Sequence, residues 1–278
     1  MGLVEGKVAI VTGATSGIGA RTVELFIEEG ARVSFTGRRQ EEGEAIAARL
    51  GPNAVFMRAD ATLETDWKRV VAETQKRFGR IDCLFNNAGG PAPTGSITSI
   101  DVDDFDDAMA LLVRSVMLGM KHAGAVMVAQ KSGSIVNNAS VAAHLAGYSS
   151  SMVYGAAKAA VKHLTTCAAM EFGEHNVRVN SVSPGAIATG ILAKALGMEA
   201  HAADAVAEKM KDGFAKAQPI PRAGLPDDIA QTVLFLASDR ASFINATDIV
   251  VDGGLIGGKL YSAHQEQLRQ TSKALGIR

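Results

Sequence analysis

Tyr154 and Lys158 stand four positions apart at the start of an apolar helical run, a spacing that brings both side chains out on one face. Ser140 closes a β-branched run fourteen positions before Tyr154. A phenol beside an ammonium has a tunable proton affinity, because a neighbouring positive charge favours the phenolate. Near the N-terminus, Thr12-Gly13-Ala14-Thr15-Ser16-Gly17-Ile18-Gly19 runs from an apolar strand straight into a helical pattern. Glycines there let the backbone approach a pyrophosphate, and the free amides and dipole of a helix N-terminus favour its negative charge. A tight turn without a ligand would carry the same glycines. A tyrosine packed at a sheet edge, a lysine lying along a helix and a serine ending a strand would explain the other three singly.

The elements that must hold these residues alternate. Short β-branched runs suit buried parallel strands, expected near Lys7–Val11, Arg32–Thr36, Ala54–Arg58, Cys83–Asn86, Ser134–Asn137, Arg178–Ser183 and Ile249–Val251. Between them lie amphipathic patterns such as Ile18–Glu29, with Val23, Phe26 and Ile27 inward and Gly30 as its stop, and Asp103–Gln130, whose acidic start suits a helix dipole. The alternation predicts an α/β fold with a doubly wound parallel sheet of about seven strands and helices on both faces. Residues 1–255 show no break in composition and read as one domain. A lid-like segment at about 190–224 and a C-terminal tail, 256–278, stand outside the rhythm.

The 278 residues are 47% hydrophobic and 21% charged, the composition of a globular chain and not a disordered one. With 28 basic and 29 acidic residues the net charge is −1, which provides no electrostatic drive toward nucleic acid or anionic membrane and favours a small-molecule substrate. Cys83 and Cys167 show no ligand spacing, so neither a metal site nor a disulfide framework is expected. No uninterrupted apolar stretch reaches about 18 residues, and Met1 to Gly6 carries no signal-peptide or myristoylation pattern, so a cytoplasmic location is expected.

Three further motifs follow in order: Asn86-Asn87-Ala88-Gly89 after the fourth strand, Tyr154-Gly155-Ala156-Ala157-Lys158, and Pro184-Gly185 after the sixth. With the TGxxxGxG spacing of the first loop, the chain from Lys7 to Gly254 resembles the short-chain dehydrogenase/reductase family in its compact one-domain branch. That resemblance implies a Rossmann-like fold and a catalytic group of Ser140, Tyr154 and Lys158. It implies a dinucleotide held by Gly13, Thr15, Ser16, Gly17, Ile18 and Gly19, with Asp60 and Ala61 at the adenine and Asn87, Ala88 and Gly89 beside its ribose. Pro184, Gly185, Ile187 and Thr189 would meet the nicotinamide end, where Tyr154 and Lys158 also contact the cofactor. Taken singly, Asn86 and Asn87 could equally end a strand, and Thr189 could be a loop hydroxyl.

Hydride transfer to a carbonyl leaves an alkoxide that must be protonated, so the acid should have a pKa near the operating pH. Bringing a tyrosine from about 10 to about 7 takes roughly 4 kcal/mol. One ammonium about 5 Å away at an effective dielectric of about 20 supplies about 3 kcal/mol, so Lys158 is expected to do most of this. Ser140 would hold the substrate oxygen. Relatives that prefer NAD usually carry an acidic residue at the end of strand two, where this chain has Gly37 followed by Arg38 and Arg39. Guanidinium groups suit the 2′-phosphate of NADP, which is the expected cofactor ahead of NAD. Two merely solvated arginines would look the same in sequence.

The chain departs from the family pattern at Leu112, where most relatives place an asparagine that supports a water linking the lysine to solvent. Leucine has no donor or acceptor, which leaves an altered relay, slower proton exchange, or a protein that binds cofactor without turnover. For the substrate, Leu192 in the lid-like segment and His144, Tyr148 and Met152 between Ser140 and Tyr154 are expected to line a pocket suited to a hydrophobic, cyclic or aromatic alcohol and its ketone; helix packing on the protein's own body is the alternative. The expected activity is NADP-dependent interconversion of a secondary alcohol and a ketone. A 3-oxoacyl carrier-protein reductase and a non-catalytic NAD(P)-binding sensor are the rivals. The resemblance also implies a homotetramer.

Overall fold

The computed structural model describes residues 2–277 apart from 192, 194–196, 200–201 and 204–205. Seven parallel strands form one sheet in the order β3-β2-β1-β4-β5-β6-β7. They are β1 (Val8–Val11), β2 (Arg32–Gly37), β3 (Ala54–Arg58), β4 (Cys83–Asn86), β5 (Gly133–Asn138), β6 (Val177–Pro184) and β7 (Asp248–Val251). Each expected strand is present; the largest adjustments lengthen β5 and β6 at both ends.

Helices cover both faces, as both-sided burial of parallel strands requires. On one face α1 (Gly17–Glu28) packs with the late helix Pro226–Ala237 around Phe26, Phe35, Phe85, Ile229 and Leu234. On the other, α3 (Glu64–Phe78), α5 (Ser115–Gln130) and α6 (Met152–Gly173) enclose Ile10, Ile81, Leu84, Met127 and Ile135. Each such side chain stabilises the fold by about 1.5–3 kcal/mol on burial.

The helix expected over Asp103–Gln130 is real but interrupted. Asp101 caps α4 (Val102–Met109) by accepting the amides of Asp103 and Asp104, then a π-turn spans Ala110–Arg114 before α5 begins. The whole run is long and apolar enough to cross a membrane by length and composition, yet half of its most apolar window is buried within this fold. After β7 the chain ends in a helix, Tyr261–Ala274, with no buried side chain.

Strand order reverses between β1 and β4, so the loops leaving their carboxyl ends diverge and open a crevice. Both motif loops, Thr12–Gly19 and Asn86–Gly89, leave strands at that point.

Candidate active site

The two loops are fastened to each other. Thr12 Oγ1 accepts the amides of Asn87 and Ala88 at 3.0 Å, and Asn87 Nδ2 donates to the carbonyls of Thr12 at 2.9 Å and Gly13 at 3.1 Å. Gly13 has φ +62°, and a Cβ there would lie 2.7 Å from Ala88 Cα, so only glycine allows this approach. Ser16 precedes α1 without capping it through its side chain, and no acidic residue stands in the first turn. The positive end of the helix therefore faces the crevice with neither a carboxylate nor a hydroxyl cap against it, which suits a pyrophosphate.

A cavity of about 890 Å³ runs from this loop to the far wall, lined by Gly13, Ser16, Gly17, Ile18, Asn87, Gly89, Asn138, Ser140, Tyr154, Lys158, Pro184, Gly185, Ile187 and Thr189, among others. The residues present thus fit a nicotinamide dinucleotide. Gly19 is different: it is buried and borders no described cavity, and a Cβ there would lie 2.6 Å from both Asn87 Nδ2 and the Gly13 carbonyl. Its expected role at the cofactor becomes one of letting α1 sit close to the two loops.

At the other end of the crevice, Thr15, Gly37, Arg38, Arg39, Ala61, Ala88 and Gly89 line a second hollow. Arg39 Nε donates to Thr15 Oγ1 at 3.1 Å, and its Nη1 lies 3.6 Å from Glu42. Arg38 is exposed. A Cβ on Gly37 would meet Thr15 Cγ2 at 2.5 Å, so no acidic side chain fits there without displacing Thr15. Asp60 borders a smaller neighbouring hollow with Ala61, and one carboxylate oxygen already accepts the amide and hydroxyl of Thr62.

Tyr154 and Lys158 stand on the first turns of α6. Ser151 caps that helix by accepting the Tyr154 amide at 3.2 Å while its hydroxyl donates to the Pro93 carbonyl at 2.6 Å. Ser140 opens a 3₁₀ turn, Val141–Ala143, by accepting the Ala142 amide. Its hydroxyl lies beside the Tyr154 phenol, where it favours the ionised form, and both residues line the same cavity. Lys158 is buried, donates to the Asn138 carbonyl at 2.6 Å, and places Nζ 5.6 Å from the centre of the Tyr154 ring. The three residues expected to work together are therefore assembled.

Their proton affinities differ from the expected ones. Burial pushes the Tyr154 phenol up to about 12, against the downward pull of the Ser140 hydroxyl. Burial also brings the Lys158 ammonium down to about 8. The expectation that Lys158 carries the phenol most of the way to neutrality is corrected for the protein alone, because loss of hydration opposes it on both groups.

Beyond Ser140 and Tyr154 lies a further cavity of about 830 Å³, walled by Pro91, Ala92, Val141, Tyr148, Ser149, Ser150, Ser151, Ile191, Phe214 and Leu255. Tyr148 stands there as expected. His144 does not: its Nε2 is 2.7 Å from Asp248 and its Nδ1 3.3 Å from Lys162, so its ring is held behind the turn. Met152, the first residue of α6, is exposed and does not line this cavity. Leu192 lies outside the described residues. Pro91, Ala92, Ser149, Phe214 and Leu255 were missed; Gly90-Pro91-Ala92 directly follows a motif and could have been found, whereas nothing local marks Phe214 or Leu255.

Leu112 occupies the middle of the π-turn, fully buried, 3.6 Å from where a Cβ on Gly89 would lie. It fills space beside the Asn86–Gly89 loop with apolar contact. Behind it Asn86 Nδ2 donates to Asn137 Oδ1 at 2.8 Å and Asn137 Nδ2 to Thr165 Oγ1 at 2.9 Å, linking β4, β5 and α6.

A parallel doubly wound sheet with a glycine loop at its switch point, a Tyr-Lys pair on the facing helix and Ser140 on the turn beside it defines a class of nicotinamide-dependent enzymes. The family model described as Enoyl-(Acyl carrier protein) reductase matches residues 13–256. The chain is 39% identical over 255 residues to momilactone A synthase of Oryza sativa subsp. japonica, covering 90% of each chain. It is 38% identical over 254 residues to (+)-borneol dehydrogenase 2 of Salvia officinalis, covering 90% of this chain and 89% of that one. The solved structure of levodione reductase superposes with a TM-score of 0.81 at 32% identity, covering 92% of this chain and 99% of that one. The chain belongs to the short-chain dehydrogenase/reductase family and is an oxidoreductase using a nicotinamide cofactor.

Proposed function

We propose that this enzyme uses NADP(H) to interconvert a secondary alcohol and a ketone on a hydrophobic, cyclic or aromatic substrate. One observation carries the reading: Ser140 and Tyr154 line both the cavity that begins at the glycine loop and the largely apolar one beyond it. A carbonyl placed between them meets cofactor on one side and binding surface on the other.

The dinucleotide, when bound, supplies or accepts the hydride. Ser140 donates a hydrogen bond to the substrate oxygen. Tyr154 Oη gives its proton to that oxygen as charge develops there, and takes it back in the oxidative direction. Lys158, held by the Asn138 carbonyl, presents its ammonium to the phenol. An ammonium about 5 Å from a phenolate, at an effective dielectric of about 20, attracts it by about 3 kcal/mol, more than a hundredfold in proton affinity. A bound nicotinamidium adds in the same direction. Ile191 and Phe214 form the outer wall of the substrate cavity.

The NADP preference rests on the absence of a carboxylate at Gly37, the crowding of that position by Thr15, and the exposed Arg38 guanidinium beside it. A cytoplasmic homotetramer acting on a small molecule, with no nucleic-acid or membrane partner, completes the proposal. The near-neutral charge of the chain and its fully exposed Phe243 support it. A second reading, reduction of 3-oxoacyl groups on a carrier protein, shares with the description of the matching family model only its carrier-protein substrate.

The test is a screen of cyclic and aromatic ketones, alcohols and acyl thioesters with NADPH, NADH and their oxidised forms, following absorbance of the reduced nicotinamide. Turnover of a ketone–alcohol pair is expected, falling about a thousandfold or more in Tyr154→Phe with dinucleotide affinity nearly intact. No turnover of any ketone or alcohol refutes the activity. If NADH is the better cofactor and Arg38→Ala changes nothing, the cofactor assignment fails.

A further inference from the structure

Behind the site, the chain assembles a network that the proposed reaction does not use. Asp248 opens β7 with its carboxylate largely buried, at 8% side-chain exposure. Its Oδ1 accepts the Ser181 hydroxyl at 2.6 Å and the Ser183 hydroxyl at 3.0 Å; its Oδ2 lies 2.9 Å from Ser183 Oγ and 2.7 Å from His144 Nε2. On the opposite side of the ring, Lys162 Nζ stands 3.3 Å from His144 Nδ1. An ammonium can only donate, so Nδ1 is the acceptor and the ring proton sits on Nε2, donated to the carboxylate. The imidazole links Lys162 on α6 to Asp248 on β7.

Each arm of this link leads to a wall of the active site. Ser183 directly precedes Pro184 and Gly185, which line the dinucleotide cavity. Lys162 lies one turn beyond Lys158 on α6. His144 ends the 3₁₀ turn that Ser140 opens, with its own amide donating to the Val141 carbonyl at 3.0 Å. We propose that His144 is a positioning residue: wedged between Lys162 and Asp248, it fixes the turn that carries Ser140 beside Tyr154.

This rests on the alcohol–ketone reading for its effect on turnover, but its structural part stands apart from it. If Ser140 is held beside the phenol by His144, releasing the ring frees the turn, Ser140 drifts, and the phenolate loses its neighbouring hydroxyl. Among the described residues, the charged groups facing the imidazole are Lys162 from α6 and Asp248 from β7, and the one facing the phenol is Lys158 from α6. None of the three is removed by changing His144.

The readout is the titration of Tyr154 itself, by NMR of protein carrying tyrosine labelled at Cζ, saturated with NADP⁺ or, if that binds better, NAD⁺. The three tyrosine signals are separated by Tyr154→Phe. In His144→Leu the phenol is expected to hold its proton about tenfold more tightly, with kcat reduced about tenfold and dinucleotide affinity changed less than about twofold. Restoration by His144→Gln, which can accept from Lys162 and donate to Asp248 at once, is expected. Asp248→Asn, equal in shape, should act in the same direction and carries the test if His144→Leu does not fold. An unchanged Tyr154 titration in a folded variant, or dinucleotide affinity falling in step with kcat, overturns the proposal. Should the parent turn over no ketone or alcohol, the proposed function fails while the phenol titration still decides the role of His144.

Discussion

Replacing Lys158 with methionine should abolish most activity and yet make the cofactor-free protein more resistant to urea at neutral pH. The ammonium is buried, donating to the Asn138 carbonyl, and burial lowers its pKa from 10.5 to about 8. At 1.36 kcal/mol per pH unit, that depression costs the fold about 3 kcal/mol wherever the unfolded chain is protonated. Methionine removes the cost and leaves the Asn138 carbonyl without its donor, which returns about 1–2 kcal/mol. A net gain of about 1–2 kcal/mol moves the urea midpoint up by roughly half a molar. The sign has a pH signature. A base with a depressed folded-state pKa has its full penalty below about 8, and stability recovers as pH rises toward 10.5, where both states are neutral. The advantage of Lys158→Met should therefore be complete at pH 7 and give way above pH 10.5 to a deficit of about 1–2 kcal/mol, the lost hydrogen bond to Asn138. Urea melts at several pH values, without dinucleotide, check this. A variant less stable than the parent at pH 7, or an advantage independent of pH, refutes the account of Lys158 as a strained buried cation.

Gly37→Asp should destabilise the fold by about 1–3 kcal/mol through collision with Thr15 Cγ2, and weaken NADP⁺ binding more than tenfold by charge repulsion. Thr15→Ser in the same chain removes the clashing methyl and should recover the stability but not the NADP⁺ affinity, as melting and fluorescence titration would show. Leu112→Asn buries an amide among apolar contacts and should lower stability by about 2 kcal/mol, while turnover stays equal to or above the parent; a large loss of kcat would mean that the pocket has adapted around the leucine. Burial pushes the Cys83 thiol up to about 12, whereas Cys167 is exposed. A thiol reagent at pH 8 should therefore label one site in the native protein and both in denaturant, by mass.

The strands were legible because residues such as Val8–Val11 and Cys83–Asn86 are buried on both faces, which demands unbroken apolar runs that few other structures tolerate. The glycine loop and the Tyr154–Lys158 pair were legible because their spacing is local to one turn or one helix. His144 was not. Its position between Ser140 and Tyr154 suggested a wall of the pocket, but its partner Asp248 lies on another strand, and no local signal says which way the ring turns. Gly19 shows a related limit: the same lack of a side chain serves helix packing or ligand approach, and only the neighbour, here Asn87, shows that it permits close packing.

The linear order of residues by itself determined the strands, the glycine loop and the Tyr154–Lys158 pair, because these follow from periodicity and from contacts within one element; Ser140 joined them through the family resemblance. Only the tertiary structure decided the proton affinities of Tyr154 and Lys158, since hydration is removed by the whole fold and not by neighbours in the chain. It also decided that Leu112 lies inside a π-turn and that a buried carboxylate on the last strand fastens the turn of Ser140, because both depend on surfaces that meet after the sheet has closed over them.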